Sequence, residues 1–361
     1  MTTTIVDVAR AANVSRATAS RALAGYGRVR PATREKVLAL AAELDYRPNS
    51  LARAVRAGRS AAIGLIVTDI ANTFLAQLTK AVAGTAVELG YDLLIAETNE
   101  DQEAERRATR VFVEKRVDGL IVVPAAGPSH EHLLRAGSHG APLVLLDRSL
   151  RNSGLTSVTS DDYRSASEAV ELLVGRGHSR VATITATWMG AGFTRRRPAA
   201  LFSTAADRVD GFRTGMKRAG LVPRPEWVLY ASVADPSALR AAAASLLSGA
   251  SRPTALLTNN SDVALAVVTA CRDAGLTIGG DISLVTFDDA DWTQAFDPPI
   301  SIVSRPVARM GEMAVRELVY QIAGHPPSGP IVLPNTLVDR RSVVPPPSPA
   351  TRRRPLSTTA R

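Results

Sequence analysis

Apolar and polar positions follow three successive patterns along the chain. Between residues 4 and 44, apolar residues recur every three or four positions, which predicts three short helices at 5–11, 16–23 and 31–44. From residue 62, short apolar runs alternate with amphipathic stretches of 10–15 residues, a pattern typical of parallel strands joined by helices. From residue 344 the chain is rich in proline and arginine, and we expect a disordered tail there.

The first pattern predicts a compact helical head. Thr4 and Ser15 are suitable N-caps for the first two helices, and Pro31 suits the first turn of the third. The residues predicted to face a small shared core are Ile5, Val8, Ala9, Val14, Ala19, Leu23, Val37, Leu40, Ala41 and Leu44.

The second helix is predicted to expose Arg16, Ala17, Ser20 and Arg21 on its outer face. Two short helices across a three-residue turn, the second of which presents arginine and hydroxyl groups, form the arrangement that enters the DNA major groove. Arginine can pair with a guanine edge, whereas hydroxyl groups bind phosphates. An unrelated three-helix bundle with a solvated basic face is the alternative.

The second pattern predicts two α/β lobes. Apolar runs predict strands at 63–67, 93–96, 119–123 and 143–146, and after Asp161 at 181–185, 227–230, 255–258 and 283–287. Helices are predicted near 165–176, 207–219, 237–247, 262–274 and 307–322. Because ligands of such sheets bind beyond the carboxyl ends of the strands, the polar residues that follow each strand are candidates for a binding site.

Those candidates favour a polyhydroxylated ligand. Carboxylates and amides suit hydroxyl groups, and an aromatic ring suits a C–H-rich face. The candidate residues are Asp69, Phe74, Asp147, Arg148, Arg208, Asn260, Asp288 and Trp292. Each has an ordinary structural alternative, since an aspartate after a strand is often a cap or turn residue, and an aromatic residue can belong to the core.

The charge of the 361-residue chain is concentrated at its ends. The net charge of +9 divides into +7 for residues 1–60, −2 for the body and +4 for residues 352–361. A basic head on a near-neutral body indicates a partner such as nucleic acid, because phosphate neutralisation supplies most non-specific affinity. An arginine-biased composition is the alternative, since 39 of the 43 basic residues are arginine.

Several function classes are disfavoured. A single cysteine, Cys271, excludes an internal disulfide framework and a multi-cysteine zinc site. No phosphate loop or Gly-Xaa-Ser-Xaa-Gly motif is present, and the histidines lack metal spacing, so we expect neither an enzyme nor a cofactor or metal site. His130 and His132 are expected to be a solvated surface pair. Without a signal-peptide pattern or a membrane-length apolar run, a cytoplasmic protein with no membrane partner is expected.

The head resembles that of the lac repressor/galactose repressor family of transcription regulators. The matching runs are residues 4–9, 13–21, 33–37 and 46–53. The resemblance implies base reading by Arg16, Ala17 and Arg21, and backbone contacts by Thr4, Ser15, Thr18, Ser20 and Arg28. It also implies a hinge helix that inserts into the minor groove at Val55, where the family has leucine, between Arg53 and Arg56.

The resemblance continues to about residue 343 and implies a core like a periplasmic sugar-binding protein. It places Asp147, Arg148, Arg208, Asn260 and Asp288 where the family contacts its effector. The chain departs from the family at four places: Ser261 replaces a common aspartate, Arg305 a common glutamine, Val233 an aromatic residue, and 188–198 is an added loop with Arg195, Arg196 and Arg197.

The sequence therefore predicts an N-terminal all-α helix-turn-helix head plus hinge helix, followed by a two-lobed α/β periplasmic-binding-protein-like core with parallel sheets. The expected boundaries are 1–48 for the head, 49–60 for the hinge, 61–343 for the core and 344–361 for the tail. We expect a homodimeric transcription regulator, commonly a repressor, on a near-palindromic double-stranded DNA operator, controlled by a small-molecule effector such as a sugar. The alternative is a solute-binding protein of a sugar transport system.

Overall fold

The chain divides into two compact units, Met1–Ala61 and Ala62–Arg361. The computed structural model describes residues 3–25, 27–46, 59–138, 140–188, 192–199, 201–249 and 251–347. The hinge residues Arg53, Val55 and Arg56, and the tail from residue 348, lie outside these ranges. Within these ranges, every helix is too short or too polar to cross a bilayer.

Three helices make up the first unit: α1 (Ile5–Ala12), α2 (Arg16–Ala24) and α3 (Pro31–Glu43). Thr4 precedes α1, and its backbone N–H and its hydroxyl donate to Asp7 Oδ2 at 2.9 and 2.6 Å. Ser15 caps α2, because its Oγ accepts a 3.1 Å hydrogen bond from the Thr18 N–H. Gly25, with φ of +74°, ends α2 in the left-handed conformation that glycine adopts readily. The three predicted helices are confirmed.

The core of this unit is built mainly from small side chains. Val8, Ala19 and Val37 are fully buried. Ala22 is also buried, although its spacing did not single it out. Leu44 was expected in the core, but α3 ends at Glu43 and Leu44 is 36% exposed. Small residues allow three short helices to approach closely enough to close a core of this size.

The second unit alternates strands and helices. In chain order its elements are β1 (Ala62–Val67), α4 (Thr73–Glu88), β2 (Asp92–Glu97), α5 (Gln102–Glu114), β3 (Gly119–Val122), α6 (Glu131–Ser138), β4 (Leu143–Leu146), β5 (Thr156–Ser160), α7 (Asp162–Gly175), β6 (Val181–Thr187), β7 (Phe193–Thr194), α8 (Ser203–Arg218), a 3-10 turn (Pro225–Trp227), β8 (Val228–Ser232), α9 (Pro236–Leu247), β9 (Ala255–Thr258), α10 (Ser261–Asp273), β10 (Ser283–Phe287), α11 (Asp291–Ala295), β11 (Ser301–Ser304), α12 (Val307–Ile322), β12 (Ile331–Leu333) and β13 (Thr336–Val338). All eight predicted strands are present.

The strands form two sheets, one in each lobe. The first sheet has the order β12-β5-β4-β3-β1-β2 and is parallel throughout. The second has the order β13-β11-β10-β9-β6-β8-β7, parallel inside and antiparallel at both edges. Fully buried strands such as β3 and β4 explain the continuous apolar runs in the sequence.

The chain crosses between the lobes three times, whereas the sequence pattern suggested a single division at Asp161. The first crossing joins β5 to α7, the second joins β11 to α12, and the third joins β12 to β13. Helix α12 was assigned by sequence order to the second lobe, but it buries Met310, Ala314 and Leu318 in the core of the first. That expectation was wrong because local periodicity carries no information about which sheet a helix covers.

The start of the expected tail is held by the second lobe. The buried His178 ring lies 2.7 Å from the carbonyl oxygen of Val344 through Nε2, and Ser283 Oγ accepts from the Val344 N–H at 3.0 Å. Burial lowers the pKa of His178, which favours the neutral ring. The expectation of disorder from residue 344 was therefore wrong for Val344.

Helices α7 and α8 contact each other closely through glycine. A Cβ added at Gly211 would lie 2.1 Å from the Tyr163 carbonyl oxygen. A Cβ added at Gly84, on the exposed face of α4, would meet no atom within 4 Å. We expect Gly211→Ala to lower the free energy of unfolding by about 2 kcal/mol. The matched Gly84→Ala should leave it unchanged or raise it by up to about 1 kcal/mol. Urea unfolding checks both, and equal effects would contradict the close helix contact.

Candidate functional site

The outer face of α2 presents the predicted base-reading residues to solvent. Arg16, Ala17 and Arg21 are all exposed. The Nε of Arg21 donates to the Ala17 carbonyl oxygen at 3.2 Å, so this side chain lies along its own helix. Arg28, which follows α2, is exposed as well. The helix therefore offers two cations and one methyl group on a single accessible face.

The predicted phosphate-binding hydroxyls make local hydrogen bonds. Ser15 Oγ and Thr18 Oγ1 lie 2.9 Å apart, and Thr4 Oγ1 donates to Asp7. Hydrogen bonds from Thr4 hold the pKa of Asp7 below its usual value. Ser20 is half-buried on the same helix. These contacts orient the first turn of each helix, whose N–H groups are suited to phosphate.

A cavity of about 430 Å³ lies between the two lobes of the second unit. Its walls include seven of the eight candidate residues: Asp69, Phe74, Asp147, Arg148, Arg208, Asn260 and Asp288. The cavity also includes Val233 and Arg305, two of the positions at which the chain departs from the family. The carboxyl ends of the strands of both sheets thus meet at one cleft, as expected for parallel sheets.

Trp292 is not part of this cleft. Its ring packs edge-on against Phe296 at 6.4 Å between centroids, beside the core of the second lobe. The expectation that Trp292 contacts the ligand is therefore not supported by its placement. Trp188 is the tryptophan that lines the cavity, and its position at the end of β6 follows the same rule that selected the other candidates.

Asp147 and Asp288 occupy equivalent positions in the two lobes. Each directly follows a buried strand, β4 or β10, and each has a left-handed backbone with φ of +67° or +69°. Aspartate tolerates this conformation better than most residues with a Cβ. The turn directs both carboxylates towards the cleft instead of continuing the strand.

Arg305, which the sequence marked only as a departure from the family, is central to the cleft. Its Nη2 donates to Asp147 Oδ1, its Nε donates to Ser160 Oγ at 2.9 Å, and its guanidinium lies 3.9 Å from the Phe74 ring centre. Asp288 is a further neighbour, whose Oδ1 lies 3.7 Å from Nη1. The surrounding carboxylates raise the pKa of Arg305 despite its burial. Its charge is therefore permanent.

Two further arginines are buried in the same way. Arg148 makes a bidentate pair with Glu100 at 2.6 and 2.8 Å and stacks on Phe202 at 4.0 Å. Arg208 donates through Nε to Asp162 at 2.9 Å and also to the Asn259 carbonyl oxygen. Bidentate and stacked contacts suit guanidinium and would not suit lysine.

Asp162 joins the three crossings between the lobes. It begins α7 at the first crossing, its Oδ1 lies 3.8 Å from Arg305 Nε at the second, and it accepts a 3.1 Å hydrogen bond from Asn335 at the third. Burial would raise the pKa of Asp162, but Arg208 and Arg305 outweigh it and the pKa is lowered. In contrast, the pKa of Asp288 is raised by burial, because the charges of Arg208 and Arg305 offset only part of the desolvation of its carboxylate.

Asn260 acts through the backbone of α10. Its Oδ1 accepts from the Val263 N–H at 2.9 Å, which makes it the N-cap of that helix. At the cleft mouth, Asn72 of the first lobe donates to Asp262 of the second at 3.2 Å, close to Asp69. Burial and the charge of Asp69 raise the pKa of Asp262, while the bond from Asn72 opposes that change. Residue 261 is serine, so the carboxylate at this part of the cleft is that of Asp262.

The expected solvated histidine pair is partly buried instead. His130 and His132 are each 14% exposed and flank the fully buried Glu105, with His132 Nε2 2.8 Å from its Oε1. Burial would raise the pKa of Glu105, but both histidines and the Ala125 N–H lower it to about 2. In the part of the chain that the structure describes, no group of three or more acidic, histidine or cysteine side chains is arranged to hold a metal ion.

Comparisons with known proteins match both units. A model of bacterial regulatory proteins of the lacI family matches residues 4–49, and a periplasmic binding protein-like domain model matches residues 170–343. The HTH-type transcriptional regulator DegA of Bacillus subtilis is 32% identical, with 96% of this chain and 99% of DegA covered. The ribose operon repressor of Escherichia coli K12 is 30% identical, with 88% and 93% covered. A crystal structure of the lac repressor dimer bound to operator and the anti-inducer ONPF has a TM-score of 0.81 at 26% identity, with 95% and 100% covered.

A second cavity of about 500 Å³ adjoins Arg148 and contains a carboxylate that sequence reasoning missed. Asp207, the fifth residue of α8, faces this cavity with Arg151. Burial and then the charge of Asp162 raise the pKa of Asp207 to about 6, while Arg151 acts in the opposite direction. Because the folded state binds this proton more tightly than the unfolded state, ionisation of Asp207 destabilises the fold as pH rises from about 4 to about 6.

Asp207→Asn should therefore raise the free energy of unfolding at pH 7.5 by roughly 1–2 kcal/mol, after allowance for partial solvent exposure. The gain should fall to a small fraction near pH 4, where Asp207 is protonated in the folded state and about half protonated in the unfolded state. Urea unfolding of both proteins across this pH range checks the difference, with the exposed Asp273→Asn as control. A gain that is constant with pH would show that titration of Asp207 is not its cause.

Proposed function

The chain belongs to the lacI family of bacterial regulatory proteins, and we propose that Arg16, Ala17 and Arg21 read its operator while the interlobe cleft binds a neutral, hydroxyl-rich effector. It is a DNA-binding transcriptional regulator that responds to a small molecule. A transport solute-binding protein is not favoured, because the shared α/β core would have no use for a +7 head. The relatives are transcriptional regulators, and we propose no catalytic role or cofactor.

DNA recognition is proposed for the exposed face of α2. Arg16 and Arg21 supply bidentate donors for guanine, and the Ala17 methyl suits the methyl group of thymine. Thr4, Ser15, Thr18, Ser20 and Arg28 are proposed to hold the phosphate backbone. The contact from Arg21 to Ala17 is a weak local one that a guanine edge can replace. The observation that carries this proposal is the joint exposure of Arg16, Ala17 and Arg21.

Homodimerisation follows from the needs of recognition. Three base-reading residues give little discrimination at ~1–3 kcal/mol per good contact, and twofold pairing on a near-palindromic operator doubles the number of contacts. A suitable surface is present at one edge of the first sheet, where Leu94 and Ile95 of β2 are 40% and 50% exposed. Val87 at the end of α4 is 72% exposed, and α4 contacts β2. An apolar edge strand of this kind favours an interface over solvent.

The proposed effector class follows from the charges of the cleft. Each of its three buried arginines is already paired: Arg148 with Glu100, Arg208 with Asp162 and Arg305 with Asp147. A phosphate or carboxylate that bound to one of these three arginines would compete with its partner and leave that buried carboxylate less well compensated. A sugar or other polyol can instead hydrogen-bond to the paired groups. The paired state of the arginines is the observation that supports a neutral effector.

Coupling to DNA is proposed to pass through the lobe angle. A ligand that contacts both lobes changes their relative orientation, because three crossing segments are the covalent links between them. In a dimer, this movement changes the distance between the two first lobes and therefore between the hinge segments, residues 49–60, that precede β1. DNA affinity then changes by the coupling free energy.

Arg21→Ala should weaken binding to the preferred duplex at least about tenfold, because it removes a base contact in each half-site. Binding to a scrambled duplex should change much less. Fluorescence anisotropy at fixed salt, with a duplex selected in vitro against the wild type, measures both. The control is Arg10→Ala, which removes an exposed charge from α1. Equal losses on the two duplexes would assign Arg21 to the phosphate backbone.

Ile95→Asp should weaken self-association at least about tenfold, because it places a charge in the centre of the apolar edge. Sedimentation equilibrium measures the dissociation constant. Val332→Asp is the matched control, because Val332 is 57% exposed on β12, the opposite edge strand of the same sheet. A dimer that survives Ile95→Asp and is lost with Val332→Asp would move the interface to the other edge.

A further inference from the structure

The second cavity, which contains Asp207, is separated from the effector cleft by a stacked pair of side chains. Among the described residues, the two cavities share only Arg148 and Phe202 in their walls. The Arg148 guanidinium lies 4.0 Å from the centre of the Phe202 ring. This stacked pair is therefore a partition, and the space of about 500 Å³ beyond it is distinct from the cleft.

Both lobes contribute walls to the second cavity. The first lobe supplies residues of the loops that follow β3 and β4, within 124–130 and 148–153. The second lobe supplies the start of α8 and the segment before it. A hydrogen bond joins the two sides, because the Ser149 N–H donates to Ser203 Oγ at 2.9 Å. A ligand in this cavity would therefore contact both lobes.

Two charged side chains in these walls lack a partner. The other charged groups are paired: Arg148 with Glu100, Arg197 with Asp210, and His130 with Glu105. Arg151 is exposed and Asp207 is half-buried, and neither side chain makes a hydrogen bond or an ion pair to another residue that the structure describes. Burial raises the pKa of Asp207 to about 6, and Arg151 opposes that rise. The guanidinium is thus close enough to act on the carboxylate, but lies beyond the about 4 Å of an ion pair.

The two unpaired charges favour a zwitterionic ligand. An ammonium group would pair with Asp207 and a carboxylate with Arg151, each through charge-assisted hydrogen bonds. A ligand that carried only the ammonium group would be repelled by Arg151, and one that carried only the carboxylate would be repelled by Asp207. The walls also include Leu134, Leu150 and Leu201, which suit an apolar substituent. An α-amino acid with an apolar side chain carries all three groups on one carbon atom.

We propose that the second cavity is a binding site for an α-amino acid with an apolar side chain, whose ammonium group pairs with Asp207 and whose carboxylate pairs with Arg151. This site is separate from the effector cleft and does not depend on which effector the cleft binds. Because its walls come from both lobes, occupation of the site stabilises one lobe angle. The regulator therefore has a second chemical input.

The test uses the full chain and five variants. Asp207→Asn and Arg151→Gln each remove one charge of the site and keep a polar side chain. Asp273→Asn and Arg272→Gln are the matched controls, because they change an exposed pair at the end of α10 that does not line the second cavity. Asp288→Asn changes the cleft and leaves the second cavity intact. Since Asp207→Asn removes a partly buried unpaired charge, this variant is expected to fold.

Thermal shift of the wild type with L-alanine, L-valine, L-leucine, L-methionine and L-phenylalanine identifies the best probe, since a ligand of the folded state raises the melting temperature. Calorimetry at pH 7 then compares that amino acid with its amide, which lacks the carboxylate, and with its deamino acid, which lacks the ammonium group. The wild type, both surface controls and Asp288→Asn should bind the amino acid at least about tenfold more tightly than either analogue. Asp207→Asn should bind the amino acid and the deamino acid within about twofold of each other, and Arg151→Gln the amino acid and the amide.

The pH dependence of binding is a second measurement. Asp162, Arg151, Asp210 and Arg208 are the charged groups that act on Asp207. The ammonium group binds the ionised form of Asp207, so the affinity of the wild type should fall about tenfold from pH 7 to pH 5, across the pKa of about 6. Asp207→Asn keeps the other titratable groups of the cavity and should show no such fall. A fall that persists in this variant would assign the titration to another group and contradict the proposal.

The other contradicting results are distinct from one another. If no amino acid stabilises the wild type, the second cavity is not the proposed site. If Asp207→Asn and Arg151→Gln keep the preferences of the wild type, the ligand binds elsewhere. If the preferences are lost only in Asp288→Asn, the ligand binds in the cleft. D-ribose, D-glucose, D-galactose and myo-inositol in the same thermal-shift screen test the neutral effector of the cleft independently, so either proposal can fail without the other.

Discussion

The structure depends on one buried ionic cluster at the junction of the lobes. Asp162 lies at the first crossing between the lobes and contacts residues of the other two, and Arg208 and Arg305 compensate its charge. Isolated charges in such a place would cost several kcal/mol each, so every member must be paired for any to be tolerated. The cluster therefore fixes where the three crossings meet, and the cleft is the space that remains above it.

The head and the cleft differ in how much of them the sequence predicts. The outer face of α2 is a local feature, because it depends only on where the helix begins and on its 3.6-residue period. Ser15 as N-cap and the buried Ala19 determine that Arg16, Ala17 and Arg21 face outward. The cleft depends on which strand ends meet, and several of its members come from segments far apart in sequence. Arg305 contacts Asp147 across 158 positions, and no local pattern reports that contact.

The errors have related physical causes. Strands β5, β7, β11, β12 and β13 were not predicted, since they are short or rich in serine and threonine, and their pairing partners decide their conformation. Trp292 was assigned to the ligand because it follows a strand, yet an aromatic ring at such a position can equally cover a lobe core. Glu100 was missed because its role exists only opposite Arg148. In each case the sequence shows which residue is present, but it does not show which distant residue or strand that residue contacts.

The neutral balance of the cluster limits how an effector can act. Because Arg148, Arg208 and Arg305 are paired before any ligand arrives, an effector that contacts them meets no free cation among the three. On the proposed function, the effector acts by hydrogen bonds to groups of both lobes. A hydrogen bond to a charged group contributes about 1.5–3 kcal/mol, and allosteric coupling in proteins is typically about 1–3 kcal/mol. On the proposed function, one effector group that hydrogen-bonds to charged residues of both lobes would therefore be of sufficient strength to shift the lobe angle and, through the hinge segments, the affinity for DNA.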